Sequence, residues 1–175
     1  MTIGLSAVLV LCGLVAVNLV LTAGIIRKLR EYERERAGHT GGSWQPGLAD
    51  GTKVPSFTAA TTTGETVDEE ILRDGVTLVG FFSTDCGSCL PKAPAFADTA
   101  ASTPALAVVS TGRTAADDLL QALDAVGRVV VEAEGGPVAT AFAVAAYPLF
   151  FLVGPDGAVL ASGHELDPLR RLARA

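Results

Sequence analysis

Soft metal ligands are scarce in this chain of 175 residues, which has three cysteines, two histidines and one methionine, Met1. A structural zinc site needs four nitrogen or sulfur ligands, and His39 and His164 stand single and far apart, so no metal is expected. Basic residues are also in the minority, 13 against 19 acidic ones, for a net charge of −6. Phosphate backbones are recognised by basic surfaces, so nucleic acid is excluded as the main partner. No internal repeat and no cofactor motif is visible. The length leaves room for one domain and an appendage.

Apolar residues, by contrast, make up 49% of the chain and are unevenly spread. Residues 3–26, IGLSAVLVLCGLVAVNLVLTAGII, form an almost unbroken apolar run in which Asn18 is the strongly polar exception. As a helix rising about 1.5 Å per residue, such a run crosses a hydrocarbon core of roughly 30 Å. A cleaved signal peptide would want a basic start and a small-residue cleavage site; neither is convincing, so an uncleaved single-pass anchor over 1–26 is expected. Cys12 reads as a small apolar residue facing lipid or a neighbouring helix. The charged stretch RKLREYERER (27–36) continues as a solvated helical stalk, and a Gly-rich linker runs to residue 51. Trp44 in that linker has no assigned role. The basic residues after the span favour a cytoplasmic domain by the positive-inside rule.

From residue 52 to 175 the pattern alternates between strands and helices. Short strands lie in VPSFTA and ETV, followed by a brief helix near Asp68 to Arg73. VTLVGFF (76–82) is a continuous apolar run, as for a strand buried on both faces. A helix follows the cysteines to about Ala101, then a strand at 105–111. The helix 114–126 has Thr114 as N-cap candidate and Leu119, Leu120 and Leu123 along one face. RVVVEA, a short helix in PVATAFAV, PLFFLV, a PDG turn at 155–157, AVLAS and a last helix complete an α/β domain with a mixed central sheet flanked by helices.

Two of the cysteines lie in FFSTDCGSCLPKAP, residues 81–94, as Cys86 and Cys89. Haem attachment would require His at position 90, where Leu stands. A disulfide closing a four-residue loop constrains little of the unfolded chain, so stabilisation is a poor reason for the pair. A redox pair suits the spacing, because a helix N-terminus stabilises a thiolate through free N–H groups and the helix dipole. Cys86 is then the exposed nucleophile, and Cys89, one turn on, attacks the mixed disulfide it forms.

Over residues 52–175 the sequence resembles the thioredoxin-like superfamily, and within it the membrane-anchored TlpA/redoxin group of thiol-disulfide oxidoreductases. The resemblance rests on VPSFTAATTTGETV, VTLVGFFSTDCGSC, Pro94 and AAYPLFFLVGPDGAVLASG. It implies a cis-proline at Pro148, with the Tyr147–Pro148 backbone left free to hold a substrate strand. It also implies protein disulfide or dithiol clients, a redox partner that supplies or removes electrons, and a bilayer contact through residues 3–26. The span and stalk are similar, more loosely, to the disulfide accessory protein of methylamine-dehydrogenase maturation. Family habit sets such domains outside the cytoplasm, where disulfides persist. That opposes the charge bias, which the glutamate-laced stalk weakens, and the extracytoplasmic face is our expectation.

This chain departs from the group at three positions. Asp85 replaces the usual Trp before the first cysteine, Gly80 stands where relatives carry a buried acid or amide, and Lys92 where many carry an acid. An adjacent carboxylate disfavours the Cys86 thiolate. Asp85 and Lys92 read equally as solvated helix-end charges or as tuning groups, and a water or Lys92 would replace the missing acid for Cys89. Phe81 and Phe82 read as core. Two rival functions share the residues. A peroxiredoxin-like peroxidase would use Ser83, three before Cys86, but has Val79 where its proline belongs. A copper or maturation chaperone would bind metal through the two thiols, with His164 the late candidate for a third ligand.

Overall fold

Two phenylalanine pairs, Phe81–Phe82 and Phe150–Phe151, set the layering of the domain. Neighbouring side chains of a strand point to opposite faces, so each pair sends one ring to either side of the sheet. Phe81 and Phe151 join one buried cluster, and Phe82 and Phe150 the other. All seven phenylalanines of the chain are buried, which accounts for a firm core in spite of 6% aromatic content.

The computed structural model describes residues 46–173. The apolar run 3–26 with Cys12, the charged stalk, His39 and Trp44 lie outside the described residues. Among the described residues no helix is long and apolar enough to cross a membrane.

A small antiparallel pair, β1 (Thr58–Ala60) and β2 (Thr66–Asp68), leads through a 3-10 turn at Glu69–Arg73 into β3 (Thr77–Ser83). There follow α1 (Cys89–Ala100), β4 (Ala105–Thr111), α2 (Asp117–Ala122), β5 (Val129–Ala133), α3 (Pro137–Ala141), β6 (Leu149–Val153), β7 (Val159–Gly163) and α4 (Leu166–Leu172). The main sheet has five strands in the order β5-β4-β3-β6-β7. β3 runs parallel to β4 and antiparallel to β6, so the sheet is mixed, as expected from the alternation. β3 is central, and its apolar run is buried from Thr77 to Phe82, the pattern of a strand covered on both faces. The expected PDG hairpin closes β6 onto β7, with Gly157 at φ +76° and the Asp156 carboxylate accepting from the Ala158 N–H at 3.1 Å.

Two local readings change. Residues 46–51, expected in the linker, are tied to the domain: the Leu48 N–H donates to the Phe142 carbonyl at 2.9 Å and the Gly51 N–H to the Val159 carbonyl at 2.7 Å. The helix expected from Thr114 begins at Asp117 instead, with Ala116 at its cap. Thr114 is a good capping residue, but its hydroxyl is taken by Asp85 at 3.1 Å.

Helices α1, α2 and α4 cover one face of the sheet and α3 the other. On the α1 face, Phe96 stacks on Phe150 with ring centroids 5.9 Å apart and meets Phe82 edge-on at 5.4 Å. Gly80 makes that packing possible. A Cβ there would lie 2.4 Å from the Phe96 ring, so the strand has to be bare at this point. On β5, the buried Glu132 carboxylate accepts the Val138 N–H at 3.0 Å and the Ala139 N–H at 2.8 Å, satisfying free donors at the start of α3. Burial pushes this carboxyl above the ordinary range, and the two N–H groups offset part of the rise.

Gly80→Ala is expected to lower stability by about 1–3 kcal/mol, the usual cost of overpacking a filled core. Adding Phe96→Leu should recover part of the loss in urea denaturation. An unchanged midpoint in Gly80→Ala would show that the ring gives way freely.

Candidate active site

β3 ends at Ser83 and α1 begins at Cys89, so Cys86 sits in the tight turn between sheet and helix. The Cys86 N–H donates to the Ser83 carbonyl at 3.2 Å, and the Cys89 N–H to the Cys86 carbonyl at 3.1 Å, which folds the turn back on itself. Both cysteines are free thiols; Cys86 is partly exposed and Cys89 fully buried.

Position makes the two thiols unlike. Partial burial pushes the Cys86 thiol up, but hydrogen bonds from the Cys89 thiol, the Ser88 hydroxyl and the Ser88 and Cys89 N–H groups outweigh it. Its pKa falls below the ordinary thiol value. Burial pushes Cys89 up to about 12, helped by its bond to Cys86, while the Ser83 N–H at 3.4 Å and the Lys92 charge pull weakly the other way. One sulfur is poised to ionise and the other to keep its proton.

The structure brings the sequence-predicted residues to one end of the sheet. The Tyr147–Pro148 peptide is cis. β6 pairs with β3 as far as Leu149 opposite Phe81, so the Tyr147–Pro148 segment enters the sheet at the end where the Cys86 turn departs. Tyr147 and Cys86 both pack against the buried cluster that contains Cys89. The Tyr147 hydroxyl pairs with the buried Ser110 hydroxyl at 2.9 Å, and burial raises the phenol's pKa.

Asp85 and Lys92 lie at the surface, and each holds specific partners there. The Asp85 carboxylate accepts the Arg113 N–H at 3.2 Å, the Thr114 N–H at 3.3 Å and the Thr114 hydroxyl, with the Arg113 guanidinium 3.5 Å away. The Arg113 backbone N–H is the main cause holding its carboxyl below the ordinary range. Asp85 thereby fastens the Cys86 turn to the loop after β4, and Gly112 is bare because a Cβ would meet the carboxylate at 2.4 Å. The Lys92 ammonium is held by Glu165 at 2.6 Å and by the His164 carbonyl at 2.8 Å. The space beside Gly80 is filled by Phe96. The Ser83 hydroxyl accepts from the Asp85 N–H at 3.2 Å, which ties it to its own turn. Among the described residues no group of three His, Cys, Asp or Glu side chains is placed to hold a metal.

Sequence reasoning missed Ser110 and the ring of His164, whose Nδ1 lies 2.6 Å from the Pro148 carbonyl. Ser110 had one usable signal, the first hydroxyl after the apolar run ALAVV. The His164 contact joins parts of the chain sixteen residues apart and has no local signature.

No family model matches this chain. No curated protein matches it either. Solved structures do. The thioredoxin domain of a thiol-disulfide oxidoreductase from Bacteroides vulgatus is similar at a TM-score of 0.57 and 19% identity, over 73% of this chain and 96% of that one. The fold is thioredoxin-like. The pneumococcal exposed lipoprotein thioredoxin of Streptococcus pneumoniae shares this thioredoxin-like fold at 0.57 and 20% identity, covering 69% of this chain and 98% of its own. So does a secreted Mycobacterium tuberculosis disulfide oxidoreductase homologous to E. coli DsbE, at 0.55 and 20%, covering 67% and 94%.

At this site, hydrogen bonds to Cys86 outweigh the effect of burial and lower its pKa. Cys89→Ala is expected to raise the Cys86 pKa, and Ser88→Ala to raise it less, followed as thiolate ultraviolet absorbance against pH. Alkylation near neutral pH should then slow in the same order. A lower Cys86 pKa in Cys89→Ala would contradict the assignment.

Proposed function

We propose that this chain is a thiol-disulfide oxidoreductase that exchanges disulfides with protein clients through Cys86 and Cys89. One observation carries the reading: an acidic, partly exposed thiol and a buried, weakly acidic one share a single turn between strand and helix. The names of the structural neighbours support the same chemistry.

In the reducing direction the Cys86 thiolate attacks one sulfur of a client disulfide. A mixed disulfide forms, and the other client sulfur leaves as a thiolate. Cys89 then gives up its proton and attacks the Cys86 sulfur, closing the Cys86–Cys89 disulfide and releasing the second client sulfur as a thiolate. Two electrons pass from the dithiol to the client. The reverse sequence oxidises a client dithiol, and a redox partner resets the pair in either case. The high pKa of Cys89 keeps it from ionising before the mixed disulfide forms, when loss of the Cys86 charge removes one cause of the rise. The backbone of Tyr147 receives the client as an added strand.

Chemical trapping tests the order of attack. Cys89→Ser mixed with a disulfide-bonded peptide is expected to accumulate a covalent adduct on Cys86, and Cys86→Ser none, with exchange at the uncatalysed background in both. Absence of the adduct in Cys89→Ser would count against the mechanism.

The anchor belongs to the same proposal. Residues 3–26 hold the domain to a membrane, and the domain works on the extracytoplasmic face, where client disulfides persist. A periplasmic-type reporter fused after Ala175 in intact cells should be active, and an active cytoplasmic-type reporter in its place would reverse the orientation.

A further inference from the structure

The helix that carries Cys89 and the segment that ends at Pro148 are joined by a chain of polar contacts that the exchange of thiols does not use. Lys92, one turn beyond Cys89 on α1, directs its ammonium to the His164 carbonyl at 2.8 Å and to the Glu165 carboxylate at 2.6 Å. The His164 ring reaches back to the Pro148 carbonyl at 2.6 Å through Nδ1. A carbonyl can only accept, so Nδ1 carries the proton in this contact. Proline has no N–H, which leaves that carbonyl as the one polar backbone group of Pro148, and the histidine occupies it. Next to it, the backbones of Ala146 and Tyr147 make no hydrogen bond among the described residues.

Stability is a weak explanation for the arrangement. Glu165 is 74% exposed and Lys92 30%, and an ion pair in such a setting contributes about 0–1 kcal/mol. The contacts do more as geometry. They run from the helix turn that holds one half of the redox pair to the backbone that flanks the other side of the site. Lys92 fixes the His164 backbone and the His164 ring fixes the Pro148 carbonyl, beside a Tyr147 backbone that makes no hydrogen bond among the described residues.

We propose that Lys92 and His164 are positioning residues for client binding, holding the Pro148 segment in register with the Cys86 turn so that an incoming strand pairs with Tyr147. This rests on the oxidoreductase reading above. It assigns to Lys92 a mechanical task in place of proton transfer at Cys89, since two of its three N–H donors point to Glu165 and His164.

The test uses the full chain and a disulfide-bonded peptide, followed as reduction of the disulfide and as oxidation of the dithiol form. His164→Ala and Lys92→Met are expected to raise KM by roughly threefold to tenfold, the worth of one hydrogen bond, with little change in kcat. His164→Asn places an amide N–H where Nδ1–H stands, and Lys92→Arg restores the cation, so both should return KM toward wild type. Reaction of Cys86 with a small aromatic disulfide, which needs no added strand, should not distinguish the variants. Unchanged KM in His164→Ala and Lys92→Met beside an active wild type would overturn this proposal alone, as would an Asn variant no better than Ala. A wild type inert toward the peptide in both directions would overturn the oxidoreductase reading, and this proposal with it.

Discussion

Burying one sulfur of a close pair while leaving its neighbour at the surface is the constraint to which the rest of the site answers. Cys89 belongs to the core cluster beneath α1, and taking its charged form out of water is costly. The same turn presents its free N–H groups and the Cys89 thiol to Cys86, where a charge is welcome. The difference between the two thiols therefore comes from one local fold of the backbone. It needs no neighbouring base and no metal to produce it.

Aromatic packing leaves no room for a polar side chain beside Gly80. Phe96 is seated over the bare Gly80, against Phe82 and Phe150, and occupies the ground on which a β3 carboxylate would stand. The polar connections of the site lie at its rim instead. Asp85 binds the turn to the loop after β4, and Lys92 binds α1 to the stretch before α4. Both charges hold loops in place, and that of Lys92 also lowers the Cys89 pKa weakly.

Much of the architecture was legible in the sequence because it is written in local pattern. The unbroken apolar run before the cysteines marked the central strand, the PDG turn marked the last hairpin, and CxxC at a strand-to-helix junction marked Cys86 and Cys89. The misses share a cause. Thr114 looks like a helix cap until Asp85, twenty-nine residues away, takes its hydroxyl. His164 looked at most like a stray metal ligand, and its partner is the Pro148 carbonyl just ahead of β6. Lys92 and Asp85 read as charges without addressees, since an ion pair between residues far apart leaves no periodicity. Residues 46–51 resembled linker by composition, and what ties them down is backbone hydrogen bonding, to which composition is blind.

That last segment has a mechanical meaning. The Ala145 N–H donates to the Pro46 carbonyl at 2.8 Å, two residues ahead of Tyr147. A pull arriving along the backbone at Pro46 is felt first at that bond and next at the one between Leu48 and Phe142. Force entering there thus reaches the backbone just ahead of Tyr147, while the cysteine turn, fastened by Asp85 to the loop after β4, lies off that path.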